Sequence, residues 1–432
     1  GMPEETKMLL ETVWVLAIVF GFGWLCSVFA KGTIFPDYTL QLAVAIVLHD
    51  AFMPLSSQTM LIVIVCSALA AIILKSGGDE VERRHFAKIA GPTVALATVG
   101  YLVSFFVTLV LLLGIGIDGK TAALLSAIIG STDPASLIPT LKGVAFRSQH
   151  KRLVDISVAE SAINDAVGAI FTGAVIIMVR DGVDVASIGS VFSGILEPHN
   201  ITHLGRELGI GAIVGIVGWL IMRQYEKFKS DRHETNSDFS AVVAVPLLVF
   251  GIAVYFHGNG FLAAFITGLL ANYNHSSPRF AKTLGIMEAN IDSLAKPVIF
   301  MMAGPLVSVG DLWQNAGMGL VISLLFIFLV RPAAVFVSLL VPIIRKKMTV
   351  KEAGFLCVVR ETGVLPIVLA VGAVYAFPEL KTLMPLVAWV VIWTLIIPPA
   401  LTPWWAKILG LTEEPKKENH EEPVLSGAPA HS

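Results

Sequence analysis

Stretches of apolar residues about 20 long, enough to cross the hydrocarbon core of a bilayer as a helix, recur from one end of this chain to the other. No other feature restricts the fold as much. Inside lipid every backbone polar group must be satisfied internally, which leaves helices or a closed barrel. The runs here are continuous, whereas a barrel would show short alternating segments. Thirteen segments can be marked, at roughly 8–30, 35–52, 57–75, 89–113, 120–141, 153–180, 204–223, 238–257, 258–273, 293–309, 316–344, 352–376 and 382–408. A further stretch, 184–198, is amphipathic and reads as a surface element. Composition agrees: residues AVILMFWYC make up 55% and charged residues 14%, against roughly a quarter charged in soluble domains. The expected fold class is an all-α polytopic membrane protein with about 13 transmembrane helices, and its first partner is the lipid bilayer.

The loops test the count. Twenty-three Lys and Arg fall in the connections after odd-numbered spans and in the tail, Lys75 and Lys296 among them. Five fall on the opposite side, and two, Arg331 and Arg360, sit inside apolar runs. By the positive-inside rule the N-terminus is outside and the C-terminus cytoplasmic. The expected location is a cell membrane, the bacterial inner membrane. No short apolar run with a small-residue cleavage site precedes the first span, so no removed signal peptide is expected. Residues 411–432 are charged, Pro-bearing and poor in apolar residues, and read as a disordered cytoplasmic tail.

Several tempting motifs fail in context. Gly114, Gly116, Gly119, Lys120 and Thr121 fit both the dinucleotide and the phosphate-loop patterns. Either would need a strand before it, and a run far too long for a strand stands there instead. No nucleotide is expected, and no basic cluster with interleaved aromatics suggests nucleic acid. Cys26, Cys66 and Cys357 each lie in an apolar run and read as small buried hydrophobes. Gly211 and Gly215 form a GxxxG pair that reads as close helix packing. The ten histidines avoid mid-span positions, so no haem ligation is expected, and no cofactor of any kind.

An ionised side chain at the bilayer centre costs at least ~2.5–3.5 kcal/mol, so such residues are functional hypotheses by default. Asp133 lies in span 5 within Gly130-Ser131-Thr132-Asp133-Pro134; Glu160 and Asp165 lie in span 6 with Ser161 and Asn164. Arg331 is in span 11 and Arg360 in span 12, followed by Glu361 and Thr362. Four-residue spacing puts Glu160 and Asn164 on one helix face, and Ser161 and Asp165 on the next. One stripe thus offers a hydroxyl and a carboxylate to a cation, and the other a carboxylate that Arg331 could neutralise. Pro134 and Pro139 break span 5, and Arg360-Glu361-Thr362-Gly363 with Pro366 marks a second break in span 12. Broken helices at depth are tolerated where they line a cavity. Two of them, seven spans apart, suggest inverted repeats around a central transport site. In a partly dehydrated cavity a proton and a small hard cation compete for the same carboxylate. If only the occupied, neutralised site crosses, exchange is compulsory.

Thr132-Asp133-Pro134 in one span and the Glu160, Ser161, Asn164, Asp165 pattern in the next resemble the monovalent cation/proton antiporters, specifically the electroneutral sodium/proton branch with Asn-Asp in place of Asp-Asp. Arg331-Pro332, the stretch Gly260–Gly268, and Met302-Ala303-Gly304-Pro305-Leu306 are similar to later spans of that family, and the likeness covers about residues 35–400. The resemblance implies crossed, unwound spans 5 and 12, a homodimer, and an elevator-like motion of a core domain. It divides the chain into 1–113 (spans 1–3 for dimerisation, span 4 in the core), 114–180 (ion-site spans of the core), 181–237 (a linker span), 238–310 (second part of the dimerisation domain), 311–410 (second part of the core) and 411–432 (the tail). Asp165 would be the exchanging carboxylate. Thr132, Asp133 and Ser161 would complete a site for Na+ or Li+, with Asn164 beside it, and Glu160–Arg331 would be a structural pair. The family's Gly-x-Arg-Gly pattern reads Val359-Arg360-Glu361-Thr362-Gly363 here. The added Glu361 either pairs with Arg360 or alters the ion site. Two other readings stand beside this one: a K+/H+ antiporter of the same fold, and a membrane-embedded enzyme using Asp133 and Asp165 as a pair. A channel would need a through-pore ring that an asymmetric pair of broken spans does not suggest.

Overall fold

In the computed structural model, which describes residues 1–30, 37–47, 59–79, 81, 83–132, 134–231, 239–271 and 278–414, each of the thirteen apolar segments carries helix. The first four spans are α1 (Glu4–Ala30), α2 (Asp37–Val47), α3 (Thr59–Asp79) and α4 (Arg83–Gly114). The fifth is split into α5 (Gly119–Ile128) and α6 (Pro134–Lys142), and the sixth is the unbroken α7 (Arg152–Arg180). The amphipathic stretch forms α8 (Ile188–Leu196), followed by α9 (Pro198–Asp231), α10 (Phe239–Tyr255), α11 (Gly260–Ala271), α12 (Pro278–Ala303) and the short α13 (Val309–Gln314). Span 11 consists of α14 (Ala316–Leu325) and α15 (Arg331–Ser338), with a π-helical turn between them. After α16 (Pro342–Arg345), span 12 is again split, into α17 (Val350–Leu356) and α18 (Val364–Ala376), and α19 (Leu383–Ile408) closes the set.

Seven helices among the described residues are individually long and apolar enough to cross a membrane. The remaining spans fall short for identifiable reasons: two are interrupted, α2, α10 and α11 are short, and α12 carries charge. That charge corrects the expected boundary of the tenth span. Helix starts at Pro278 rather than near 293, because Glu288 and Asp292 are engaged by α3 and so are tolerated inside the bundle. The run from Gly114 to Thr121 is a helix-to-helix turn: Gly116 adopts a φ of +93°, and the Asp118 side chain caps α5 by accepting from the Thr121 N–H at 3.2 Å. No strand precedes it, which removes the nucleotide-loop context.

Close backbone approach organises the packing. Gly268 on α11 faces the Lys75 carbonyl on α3, where a side chain would collide with backbone, and Gly211 and Gly215 admit α11 against α9 in the same way. The GxxxG reading holds. Beside α7, Tyr101 and Phe105 of α4 meet Phe171 edge-on, with ring centroids 5.5 Å and 4.7 Å away. Such edge-to-face pairs add about 0.5–1.5 kcal/mol beyond their buried area. The three cysteines are buried, and no disulfide joins them.

Past α19 the chain does not leave at once. Phe146 and Thr412 form an antiparallel bridge, with the Arg147 N–H on the Leu411 carbonyl and the Glu413 N–H on the Ala145 carbonyl, both at 2.9 Å. Arg147 Nε adds a bond to the Thr412 carbonyl at 3.0 Å. The first residues assigned to the tail are therefore fastened to the loop between α6 and α7; the expected disorder falls on 415–432, outside the described residues.

Candidate ion-binding site

The site grows from α7. Its Ala159, Ala162, Ala166, Gly168 and Ala169 keep the helix surface low, so neighbours come close. Ser161, Asp165 and Gly168 recur at four- and three-residue steps, which puts them on one stripe. Thr132, at the break between α5 and α6, brings its hydroxyl to 2.7 Å from Ser161 Oγ. One residue earlier, Ser131 occupies the space left by the missing side chain of Gly168. Asp165 lies on the stripe between these two contacts and is 5% exposed. Asn164 is equally buried, one position round the helix, and its Oδ1 accepts no hydrogen bond among the described residues. Asp133 lies outside the described residues.

Glu160, on the neighbouring face of α7, is held by an arginine. Arg331 donates to it from Nη1 at 2.6 Å and from Nη2 at 3.0 Å, the two-pronged geometry that suits a guanidinium to a carboxylate. The local cause is the residue after it. Pro332 has no N–H for the Phe328 carbonyl, and the helix accommodates this by widening into the π-helical turn Phe326–Val330, with the Arg331 N–H bonding back to Phe326. Arg331 Nε also reaches the Leu356 carbonyl at 2.9 Å, and Nη2 the Val359 carbonyl at 3.3 Å. These are carbonyls that the end of α17 leaves unpaired in the unwound stretch.

The two interrupted spans meet. Arg360 donates to the Gly130 carbonyl and lies over the Phe326 ring, 4.9 Å from its centroid. Glu361 accepts from Thr140 Oγ1 on α6 at 3.0 Å, and the Thr362 hydroxyl contacts that of Thr394 on α19. Between the breaks and α7 is a narrow cavity of about 10 Å³ whose polar wall comprises Thr132, Ser157, Glu160, Ser161, Arg331, Arg360 and Glu361. It ends at Ser161; Asp165 is one turn farther along the same stripe. An apolar groove between α9 and α10 is larger, about 370 Å³, but no titratable residue lines it.

A second set of buried charges went unseen in the sequence. Lys75, read there as a loop cation, is 1% exposed, and its ammonium lies 2.7 Å from Asp79 and 2.6 Å from Glu288. Ser76 donates to Asp292 at 2.9 Å, and Lys296, also counted with the loops, is 1% exposed. Glu288, Asp292 and Lys296 recur every fourth residue along α12. That spacing was the available signal, and low hydropathy hid it by pushing the segment into a loop.

The sodium/hydrogen exchanger family (transmembrane) matches residues 14–407. The chain is 26% identical over 357 residues to a K(+)/H(+) antiporter NhaP2 of Shewanella sp. (strain MR-4), covering 82% of this chain and 58% of that relative. It is 25% identical over 378 residues to the Na(+)/H(+) antiporter 1 of Methanocaldococcus jannaschii, covering 84% of this chain and 83% of that one. The solved structure of the sodium proton antiporter MjNhaP1 from that organism, at pH 8, superposes with a TM-score of 0.69 at 20% identity, over 94% of this chain and 100% of that one. The chain thus spans a little over half the length of its Shewanella relative and nearly the whole of the archaeal fold. With the family matched from the first span to the last, this chain belongs to the transmembrane sodium/hydrogen exchangers.

Proposed function

We propose that the chain is a secondary active antiporter that exchanges a small monovalent cation, Na+ or Li+, for protons by alternating access. One observation carries the reading: Ser161 and Asp165 share a buried stripe of α7, and the Thr132 hydroxyl meets that stripe where the neighbouring span is broken. Oxygen ligands at a helix break suit a hard cation, and an ionisable group at this depth is functional by default. In this reading Asp165 holds either the cation or a proton. The cation displaces the proton on one side of the membrane, a proton displaces the cation on the other, and the empty, charged site does not cross. Asp133 and Asn164 complete the surroundings of the ion, while Glu160 and Arg331 hold the site together.

The rest of the assignment follows the family. Spans 1–3 and residues 238–310 form a dimerisation domain, 181–237 a linker span, and span 4 with 114–180 and 311–410 a core that moves as an elevator. The homodimer, too, is carried over from the family. The N-terminus is placed outside and the C-terminus in the cytoplasm of a cell membrane, the bacterial inner membrane. Burial of Lys75 and Lys296 removes two residues from the basic side, and the remaining imbalance still points the same way. A K+/H+ exchanger is the second reading, favoured by the activity for which the Shewanella relative is named.

The test is reconstitution in liposomes with an acidic lumen and clamped membrane potential, following lumenal pH after Na+, Li+ or K+ is added outside. Alkalinisation by Na+ and Li+ but not K+, abolished in a folded Asp165→Asn variant, is the expected result. A response to K+ selects the second reading. Exchange that persists in Asp165→Asn overturns the assignment of the carrying carboxylate.

A further inference from the structure

One carboxylate on the cavity wall has no part in the mechanism above. Glu361 lies in the unwound stretch between α17 and α18, is 3% exposed, and shares the narrow cavity with Thr132 and Ser161. Its position is fixed from the other broken span, since Thr140 on α6 donates to Oε1 at 3.0 Å. The charged neighbours on the same wall are committed elsewhere. Both oxygens of Glu160 receive Arg331, and Arg360 is turned onto the Gly130 carbonyl and the Phe326 ring. The hydroxyls of Thr132 and Ser161 and the Glu361 carboxylate thus share one small space with the Glu160–Arg331 pair and Arg360, and that space meets the Asp165 stripe at Ser161. This is an oxygen donor set, the chemistry that a hard cation takes.

We propose that Glu361 is a second carboxylate ligand of the transported cation and sets the preference of the cavity for a small one. The proposal rests on the reading of Asp165 as the exchanging carboxylate. A small cation gives up more hydration on entering than a large one and recovers it only from negative charge held close, because attraction grows as separation shrinks. A site with two carboxylates therefore favours Na+ or Li+ over K+ more strongly than a site with one carboxylate and neutral oxygens, where the field is weaker. Thr140 contributes by keeping the Glu361 carboxylate at the wall, and the break in span 12 supplies the exposed backbone that lets residue 361 point into a cavity at all.

The experiment uses the full chain in liposomes, with apparent KM for Na+, Li+ and K+ read from lumenal pH at clamped potential. Glu361→Gln is expected to keep exchanging while its KM for Na+ rises about tenfold, the loss of roughly 1.4 kcal/mol of binding, and its Na+ over K+ preference falls by a similar factor. Glu361→Asp should keep the wild-type order of cations. Thr140→Val should move both quantities the same way by a smaller amount. Wild-type KM and cation order in Glu361→Gln overturn the proposal. Should that variant fail to fold, wild-type values in Thr140→Val overturn it equally. Asp165→Asn is run alongside: exchange surviving there strikes the underlying reading of the site, whereas a silent Asp165→Asn with an unchanged Glu361→Gln removes only the role of Glu361. A packing role for Glu361 would lower the amount of folded protein and leave the cation order untouched.

Discussion

Arg331 reaches Glu160 with two nitrogens and the carbonyls of Leu356 and Val359 with the same guanidinium, so one side chain joins α7, α15 and the second break. Arginine suits this role because its donors are fixed in a plane and its charge is permanent. Removing it would strand a buried carboxylate and two backbone carbonyls together. Losing one partner of a buried pair costs about 3–5 kcal/mol. Arg331→Ala is therefore expected to melt well below the wild type in detergent, and a normal melting curve would show that the pair does not hold the site. The Glu160–Arg331 pair could be anticipated from the sequence, since both residues are ionisable inside apolar runs. The bond from Thr140 to Glu361 could not, because a lone threonine 221 positions away carries no local signal.

Two helix interruptions and one uninterrupted helix make the site, and the sequence announces each differently. The prolines of span 5 and the Arg-Glu-Thr-Gly run of span 12 mark the breaks, while the four-residue spacings Glu160–Asn164 and Ser161–Asp165 mark the inner faces of α7. The packing between them depends on a residue without a side chain, and hydropathy does not register that. At Gly168 any added carbon would strike Ser131. Overpacking of this kind typically costs about 1–3 kcal/mol, and here the strain falls on the break itself. Gly168→Val is expected to reach the membrane folded yet lose exchange, with a weaker rise in melting temperature on adding Na+ than the wild type shows. Retention of both would mean that the approach of Ser131 to α7 is dispensable. The π-helical turn before Arg331 was legible only in part: Pro332 foretells a disturbance, but whether a helix kinks or widens is settled by what the next side chain must reach.

Among the described residues, charge is buried in several separate places, and only the one around Glu160, Asp165 and Arg331 was visible beforehand. Hydropathy finds isolated ionisable residues within apolar runs. It loses those on α12, where Glu288, Asp292 and Lys296 dilute the run until it no longer looks like a span. The ammonium of Lys75 sits between Asp79 and Glu288 and stabilises both carboxylates. Lys75→Met should accordingly destabilise the protein by several kcal/mol, on the scale of about 3–5 for an uncompensated buried charge. Adding Glu288→Gln should restore part of the loss in a thermal melt; a stable single variant would show the cluster to be ornamental. The bridge between Phe146 and Thr412 has a consequence of a mechanical kind. The loop that leads from the first broken span into α7 is moored to the end of α19 by bonds at both sides of a single residue pair. If the core moves as proposed, α7 tows the root of the C-terminal segment with it, so a pair of probes at Arg147 and Glu413 is expected to keep its separation through the cycle, a fixed gauge length against which other movements can be measured.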